Sequence, residues 1–312
     1  MQAKVQKGRR KSGNTFADVL IIALMIVLCV VFLYPLYMQL CLSVSTARDL
    51  VGVNNVVLYP HGFSLKSYQQ LLSDPSIVRY YVNTIVYAAT GTLLLLAVTS
   101  LLAYPLSVRE FRGKRLINVL LLITMFFGGG LIPTYMTIRA YGMIDTLWAL
   151  ILPGSVSAWN VIMFVNFFQT IPDSLSESAT IDGANHLQIL LFIVLPLSKA
   201  LLATISLFTV VGFWNGYFNA LVYMNTADHM PIQIFLRKIL ITTEIMDSAA
   251  NADPSRLLEM SNYNPRTVKA AAVIVTMAPI LCVYPFVQKY FTKGMMIGAV
   301  KALSLIHIYS IV

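Results

Sequence analysis

Long apolar stretches with almost no charge are the feature that most limits how this chain can fold. The first runs over residues 19–44 and contains no Asp, Glu, Lys or Arg. A helix needs about 20 apolar residues to cross the hydrocarbon core of a bilayer. Because the bilayer offers no water to backbone polar groups, we predict an all-α, polytopic membrane protein with six transmembrane helices. The other five lie at residues 80–108, 116–138, 147–171, 197–224 and 267–287.

The composition agrees with a membrane location. Apolar residues make up 58% of the chain and charged residues 11%, whereas a soluble domain has about 25% charged residues. The net charge of +9 could suit nucleic acid, but the basic residues lie at the ends of the apolar stretches. That placement is typical of membrane orientation, so we exclude a soluble or nucleic-acid-binding protein.

Lys and Arg flank the apolar stretches unevenly. Twelve lie in the N-terminal tail, after the second stretch and near the C-terminal end, whereas eight are spread over longer connections, including residues 225–266. The positive-inside rule then places both termini in the cytoplasm. We divide the chain into a basic cytoplasmic tail (1–16), a transmembrane domain (17–300, with a cytoplasmic segment at 171–196) and an unassigned tail (301–312).

The cytoplasmic segment is amphipathic and carries the signals of two short helices. Asp173 or Ser174 can cap a first turn, and Glu177 follows Ser174 by three residues, as in a capping box. Gly183 permits a turn that residues with a β-carbon resist. The segment therefore predicts a helix–turn–helix at the cytoplasmic face, suited to docking a partner.

The spacing within this segment carries a family resemblance. After Glu177-Ser178-Ala179 come three residues, Gly183, nine residues and then Ile193-Val194-Leu195-Pro196. This resembles the "EAA" signature of permeases of ATP-binding-cassette (ABC) importers. The carbohydrate branch of that family is similar to the stretches at residues 103–107, 128–133, 148–150, 181–184, 213–215 and 231–237.

The resemblance implies a multi-pass permease subunit of a bacterial cell-membrane importer for a carbohydrate, expected to be an oligosaccharide. Its implied partners are a second, different permease subunit, a cytoplasmic ATPase dimer and an external solute-binding protein. The chain has no GxxxxGK[ST] phosphate loop, so we expect no bound cofactor and no enzymatic activity of its own. ATP and Mg belong to the ATPase, and the residues implied to couple to it are Glu177, Ser178, Ala179, Asp182, Gly183 and Pro196.

Polar and aromatic side chains inside the apolar stretches are candidates for the substrate path. Amides and rings with almost no charge suit neutral, hydroxyl-rich sugars. The alternative is that these side chains hold helices together. For Gly128-Gly129-Gly130 and Pro133 we favour close helix packing over a break that lines a cavity. The candidate path residues are Asn83, Thr84, Asn160, Asn166, Phe213, Trp214, Asn215, Tyr217 and Asn219.

Other functions remain as alternatives. An ABC permease for a non-sugar solute would share the signature. An ion-coupled secondary transporter would usually show inverted repeats and an intramembrane acid, yet we see no repeat and no central Asp or Glu. An intramembrane enzyme would need catalytic or metal-binding groups, and none of the four His lies in an apolar stretch. We therefore predict no catalytic residue and no metal site.

Overall fold

The computed structural model describes residues 15–50, 57–252 and 264–283. Within them the regular structure is entirely helical, which confirms the predicted all-α class. The helices are α1 (Thr15–Ser43), α2 (Lys66–Leu72), α3 (Ser76–Ser107), α4 (Lys114–Phe126), α5 (Leu131–Ala140), α6 (Leu147–Ile151), α7 (Ala158–Phe168), α8 (Asp173–Ile181), α9 (His186–Ile189), α10 (Leu195–Leu197), α11 (Lys199–Asn215), α12 (Phe218–Tyr223), α13 (Ile232–Ala252) and α14 (Pro265–Val283).

Three helices of the described residues, α1, α3 and α14, are long and apolar enough to cross a membrane alone. Three bent pairs bring the number of spans to the predicted six if each pair crosses once. The pairs are α4 with α5, bent by 115°, α6 with α7, bent by 53°, and the helical run 186–197 with α11, bent by 81°. Two of the predicted stretches, 116–138 and 147–171, are thus broken helices, whereas the third bend joins the helical run 186–197 to α11 at the start of the fifth stretch.

The break between α4 and α5 corrects our interpretation of the triple glycine. We expected Gly128, Gly129 and Gly130 to allow close helix packing. In the structure α4 ends at Phe126, Gly130 has φ +80°, and no described atom lies within 4 Å of a β-carbon built at Gly128 or Gly129. Gly130 releases the chain from the helix because Gly adopts positive φ at no steric cost.

Contacts divide the described residues into two compact units, the first within residues 1–71 and 240–274 and the second within residues 72–239 and 275–312. In the first, Cys41, Leu42, Leu50, Val57 and Ala270 form a buried cluster. Most of α1 leaves its apolar side chains exposed, as expected for a helix whose surroundings are not water. Within the predicted outside connection at 225–266, α13 occupies 21 residues.

The second unit is organised around α3, which packs along α7 and α11. Gly91, midway along α3, lets the Phe213 ring of α11 approach closely. A β-carbon at Gly91 would lie 2.3 Å from Cζ of Phe213. A group of buried side chains lies at one end of these helices, and we call it the central core cluster. Its buried members are Leu95, Ala103, Leu106, Leu121, Val161, Phe164, Val165, Phe168, Ile189, Leu190, Val194, Leu201 and Ile205.

Candidate functional site

The predicted helix–turn–helix is present, and its first arm is α8. Our expectation of a side-chain cap from Asp173 or Ser174 was wrong. Pro172 occupies the N-cap position, without a side-chain hydrogen bond, and Asp173 is the first helical residue. There its carboxylate is favourable to the helix dipole, and it lies 3.4 Å from Nη2 of Arg109, in the connection after α3. Because both side chains are largely exposed, this ion pair orients α8 more than it stabilises it.

The turn after α8 is closed by a Schellman arrangement. Gly183 has φ +85°, and its N–H donates to the carbonyl of Thr180 at 3.0 Å. The N–H of Ala184 donates to the carbonyl of Ala179 at 2.9 Å. This pattern satisfies the last carbonyls of α8 and needs a residue that tolerates positive φ. The structure thereby confirms the turn that Gly183 predicts.

The second arm begins with a capping box that our sequence reasoning missed. The Asn185 side chain accepts from the N–H of Gln188 at 2.9 Å, and the Gln188 side chain accepts from the N–H of Asn185 at 2.8 Å. Asn-x-x-Gln before an apolar run was the available signal. The arm continues to Leu197, with Pro196 exposed in its last turn, and bends at Ser198 into α11.

We call the helix–turn–helix of residues 173–196 the hairpin. Its inner face packs on the helix bundle, and its outer face is exposed. Ala179 and Ala184 pack against the central core cluster. Glu177, Ser178 and Asp182 are exposed, and no residue of α8 is buried. Small side chains thus hold α8 close to the helix bundle, while Glu177 and Asp182 stay exposed.

A groove of about 640 Å³ separates α8 from the end of α3. Arg109 and Glu110 line one side, and Glu177 and Ile181 line the other. Ile181 is 86% exposed on the side of the groove that α8 forms.

Several predicted path residues instead make internal contacts. Asn83 on α3 donates from Nδ2 to the carbonyls of Asp228 and Met230, at 2.7 and 3.0 Å. The buried Thr84 hydroxyl accepts from the N–H of Ile232 at 2.8 Å. Trp214 is 6% exposed and donates its indole N–H to the carbonyl of Thr276. These side chains hold the segment 228–232 and α14 in place, which is the alternative role that we weighed.

Other path candidates lie where the fifth apolar stretch is interrupted. α11 ends at Asn215 and α12 begins at Phe218, and between them Gly216 leaves the helical conformation, with ψ 104°. Asn215, Tyr217 and Asn219 are exposed around this interruption. Phe213 packs at Gly91 instead, Asn160 is half-buried within α7, and Asn166 is exposed near its end.

Asp145, which the sequence did not single out, binds the segment 225–229 of the second unit. It is the only described non-glycine residue with positive φ, at +63°, a conformation that Asp tolerates. Its carboxylate accepts from the Thr226 hydroxyl, from the N–H groups of Thr226 and Asn225, both at 3.1 Å, and lies 3.3 Å from Nδ1 of His229. These bonds, led by the Thr226 hydroxyl, lower the pKa of Asp145 to about 2.

Replacing Asp145 should therefore loosen the segment 225–229. Asp145→Ala leaves three donors without their acceptor, and we expect a loss of about 1–3 kcal/mol in unfolding free energy at pH 7. Asp145→Asn keeps an acceptor and should lose less. Because the folded-state pKa lies below the ordinary 3.8, this stabilisation is present above about pH 4 and is lost as pH falls towards 2. Melting of the detergent-solubilised protein should show the wild-type advantage at pH 7 and its disappearance near pH 2; an equal gap at both would contradict the assignment.

A solved structure and a family of known proteins match most of this chain. The crystal structure of a bacterial ABC transporter involved in the import of the acidic polysaccharide alginate has a chain that matches with a TM-score of 0.80 and 29% identity, over 91% of this chain and 99% of that one. The fold is thus that of the permease component of an ABC importer. The chain belongs to the family described as "Binding-protein-dependent transport system inner membrane component", whose profile matches residues 3–297.

Two curated relatives from Bacillus subtilis are also similar. The polygalacturonan/rhamnogalacturonan transport system permease protein YtcP is 38% identical over 92% of this chain and 99% of its own length. Protein LplC is 40% identical over 83% of this chain and 86% of its own length. The family resemblance drawn from the hairpin spacing is therefore confirmed, and the chain is a multi-pass membrane component of a transporter.

Proposed function

We propose that this chain forms half of the translocation path of an ABC importer for a carbohydrate, expected to be an oligosaccharide. The relatives named for polygalacturonan/rhamnogalacturonan and for melibiose, raffinose and stachyose support a sugar. The exposed Asn215, Tyr217 and Asn219 offer amides and an aromatic ring, which suit sugar hydroxyls and ring faces. Phe213, Trp214, Asn83 and Asn160 then shape the path from behind.

The hairpin is the single feature that carries the coupling role. Its alanine face packs on the helix bundle and its carboxylate face is free, so a push on the outer face reaches the bundle as a rigid-body movement. We propose that an ATPase dimer in the cytoplasm seats this face, with Glu177 and Asp182 meeting basic groups and Ile181 entering an apolar pocket. Ser178 and Gly183 allow the close approach, and Pro196 ends the arm.

The remaining partners follow from the family. A binding-protein-dependent system implies an external solute-binding protein and an ATPase. We propose a different permease subunit as the other half of the path. We also propose that this chain is not an enzyme and binds no cofactor, because the sequence carries no phosphate loop and ATP with Mg is used by the ATPase.

Reconstitution tests the proposal directly. The chain is co-expressed with the second permease subunit, the ATPase and the binding protein, purified as a complex and placed in proteoliposomes. We expect copurification of the ATPase and uptake of an oligosaccharide that depends on ATP and on the binding protein. Uptake of a non-sugar solute alone would favour the alternative ABC permease, and uptake driven by an ion gradient without ATP would overturn the assignment.

Reporter fusions test the predicted orientation, in which both termini are cytoplasmic. A reporter active only in the cytoplasm should be active after Lys11 or Arg112 and silent near Asn251. The reason is the excess of Lys and Arg in the tail and in the connection after α3. Fusions measured in intact cells, with immunoblots to equalise abundance, suffice. The reverse pattern would place the hairpin outside and remove its access to an ATPase.

A further inference from the structure

Arg237 stands out among the basic residues of the second unit. It lies in the second turn of α13, is half-buried, and its guanidinium carbon lies 5.8 Å above the centre of the Tyr217 ring. Stacking on an aromatic face holds the guanidinium plane and leaves its N–H edge available. Tyr217 belongs to the interruption between α11 and α12.

Within the described part of the chain, Arg237 has no carboxylate at ion-pair distance. Neighbouring cations behave differently: Arg79 pairs with Asp228, and Lys238 acts on Asp74, whose pKa it helps to lower behind the hydrogen bonds of Ser76. The five N–H donors of this guanidinium are therefore available to a carboxylate from outside the described residues. This asymmetry distinguishes Arg237 from Lys238, the next residue on the same helix.

The packing explains why Arg237 reaches the interruption. Ile234 packs against the buried cluster that includes Ala220 and Tyr223 of α12. Residues three apart on a helix share a face, so Arg237 lies one turn beyond Ile234, beside the residue that precedes α12. The site thereby combines a guanidinium and an aromatic face with the exposed amides of Asn215 and Asn219, which flank Tyr217 in the chain.

We propose that Arg237, held on Tyr217, binds the carboxylate of a uronic-acid sugar at this point of the path. Arg binds carboxylates through two parallel hydrogen bonds, the Tyr ring suits the apolar face of a pyranose, and the amides suit its hydroxyls. The inference rests on the proposed sugar-carrying function and narrows it to acidic saccharides. The match to an importer of acidic alginate and to a permease named for polygalacturonan agrees with that charge.

The test uses the complete complex of both permeases and the ATPase, without the binding protein. Binding of trigalacturonate is measured by calorimetry for wild type, Arg237→Gln, Arg237→Lys and the matched charge control Lys238→Gln. We expect Arg237→Gln to weaken binding about 10-fold or more, as for loss of a charge-assisted hydrogen-bonded pair. The affinity of Arg237→Lys should lie between those of wild type and Arg237→Gln. The affinity of Lys238→Gln should stay within about twofold of wild type. The fully methyl-esterified trimer should bind wild type and Arg237→Gln alike.

Three outcomes would overturn the proposal. They are no binding of trigalacturonate to the wild-type complex, equal weakening in Arg237→Gln and Lys238→Gln, and loss of the second permease subunit from the Arg237→Gln complex, which would make Arg237 an interface residue. ATP-dependent uptake by the wild-type complex is measured in parallel. Uptake of a neutral oligosaccharide without trigalacturonate binding would disprove the uronate site but agree with the proposed sugar importer. No sugar uptake at all would disprove the proposed sugar importer.

Discussion

Gly183→Val in the hairpin should abolish most transport while the protein still inserts in the membrane. Gly183 has φ +85° in the turn that closes α8, and a β-branched residue there costs about 1–3 kcal/mol. No atom of the described residues lies within 4 Å of a β-carbon at this position, so the penalty comes from backbone conformation and not from crowding. The turn should open, α8 should lose its orientation, and copurification of the ATPase should weaken.

Glu177→Ala should give the same uncoupling by removing one contact. Glu177 is exposed, so its loss should change unfolding free energy by no more than about 0.5 kcal/mol. We expect normal abundance, a sharp fall in uptake and weaker association with the ATPase. The effect on association should be smaller than that of Gly183→Val, because the turn itself stays intact.

Two matched variants control these results. Gly183→Asn keeps a residue that tolerates positive φ and should retain most uptake. Glu110→Ala removes a carboxylate that lines the same groove from the other side and should have a smaller effect than Glu177→Ala. Wild-type uptake in Glu177→Ala and Gly183→Val, at wild-type abundance, would remove the coupling role from the hairpin.

Gly91→Val should be the most damaging substitution within the bundle. A β-carbon there would lie 2.3 Å from Cζ and 2.4 Å from Cε2 of Phe213, so α3 and α11 would have to separate or the ring would have to leave. Overpacking of this kind costs about 1–3 kcal/mol. We expect a lower melting temperature of the purified protein and reduced uptake.

The same substitution at Gly212 isolates the packing contribution. Gly212 also lies within a helix, α11, but no described atom is within 4 Å of its β-carbon position. Intrinsic helix propensity is therefore equal in the two variants, and Gly212→Val should melt close to wild type. Gly91→Val combined with Phe213→Ala should recover part of the loss. Equal melting of the two valine variants would show that the Gly91–Phe213 contact does not determine helix packing.

The sequence alone determined the features that depend on neighbouring residues. Apolar length predicts the spans because the bilayer thickness sets how many residues a helix needs. The hairpin is also local: Gly183 makes its turn, and Asn185 with Gln188 caps its second arm, through bonds that span no more than five residues. The spacing that carries the family resemblance was therefore visible before any tertiary contact was known.

The tertiary structure decided which polar side chains are free. Asn83 and Asn215 have the same chemistry, yet Asn83 is bound to a carbonyl 145 residues away and Asn215 is exposed beside a helix interruption. Trp214 and Tyr217 differ in the same respect. Trp214 is bonded to a residue 62 positions along the chain, whereas Tyr217 is exposed. Local pattern contains no information about such distant partners. Since a buried polar group must find a partner wherever the fold supplies one, only the packed helices could show which of these residues are bonded within the chain and which stay exposed.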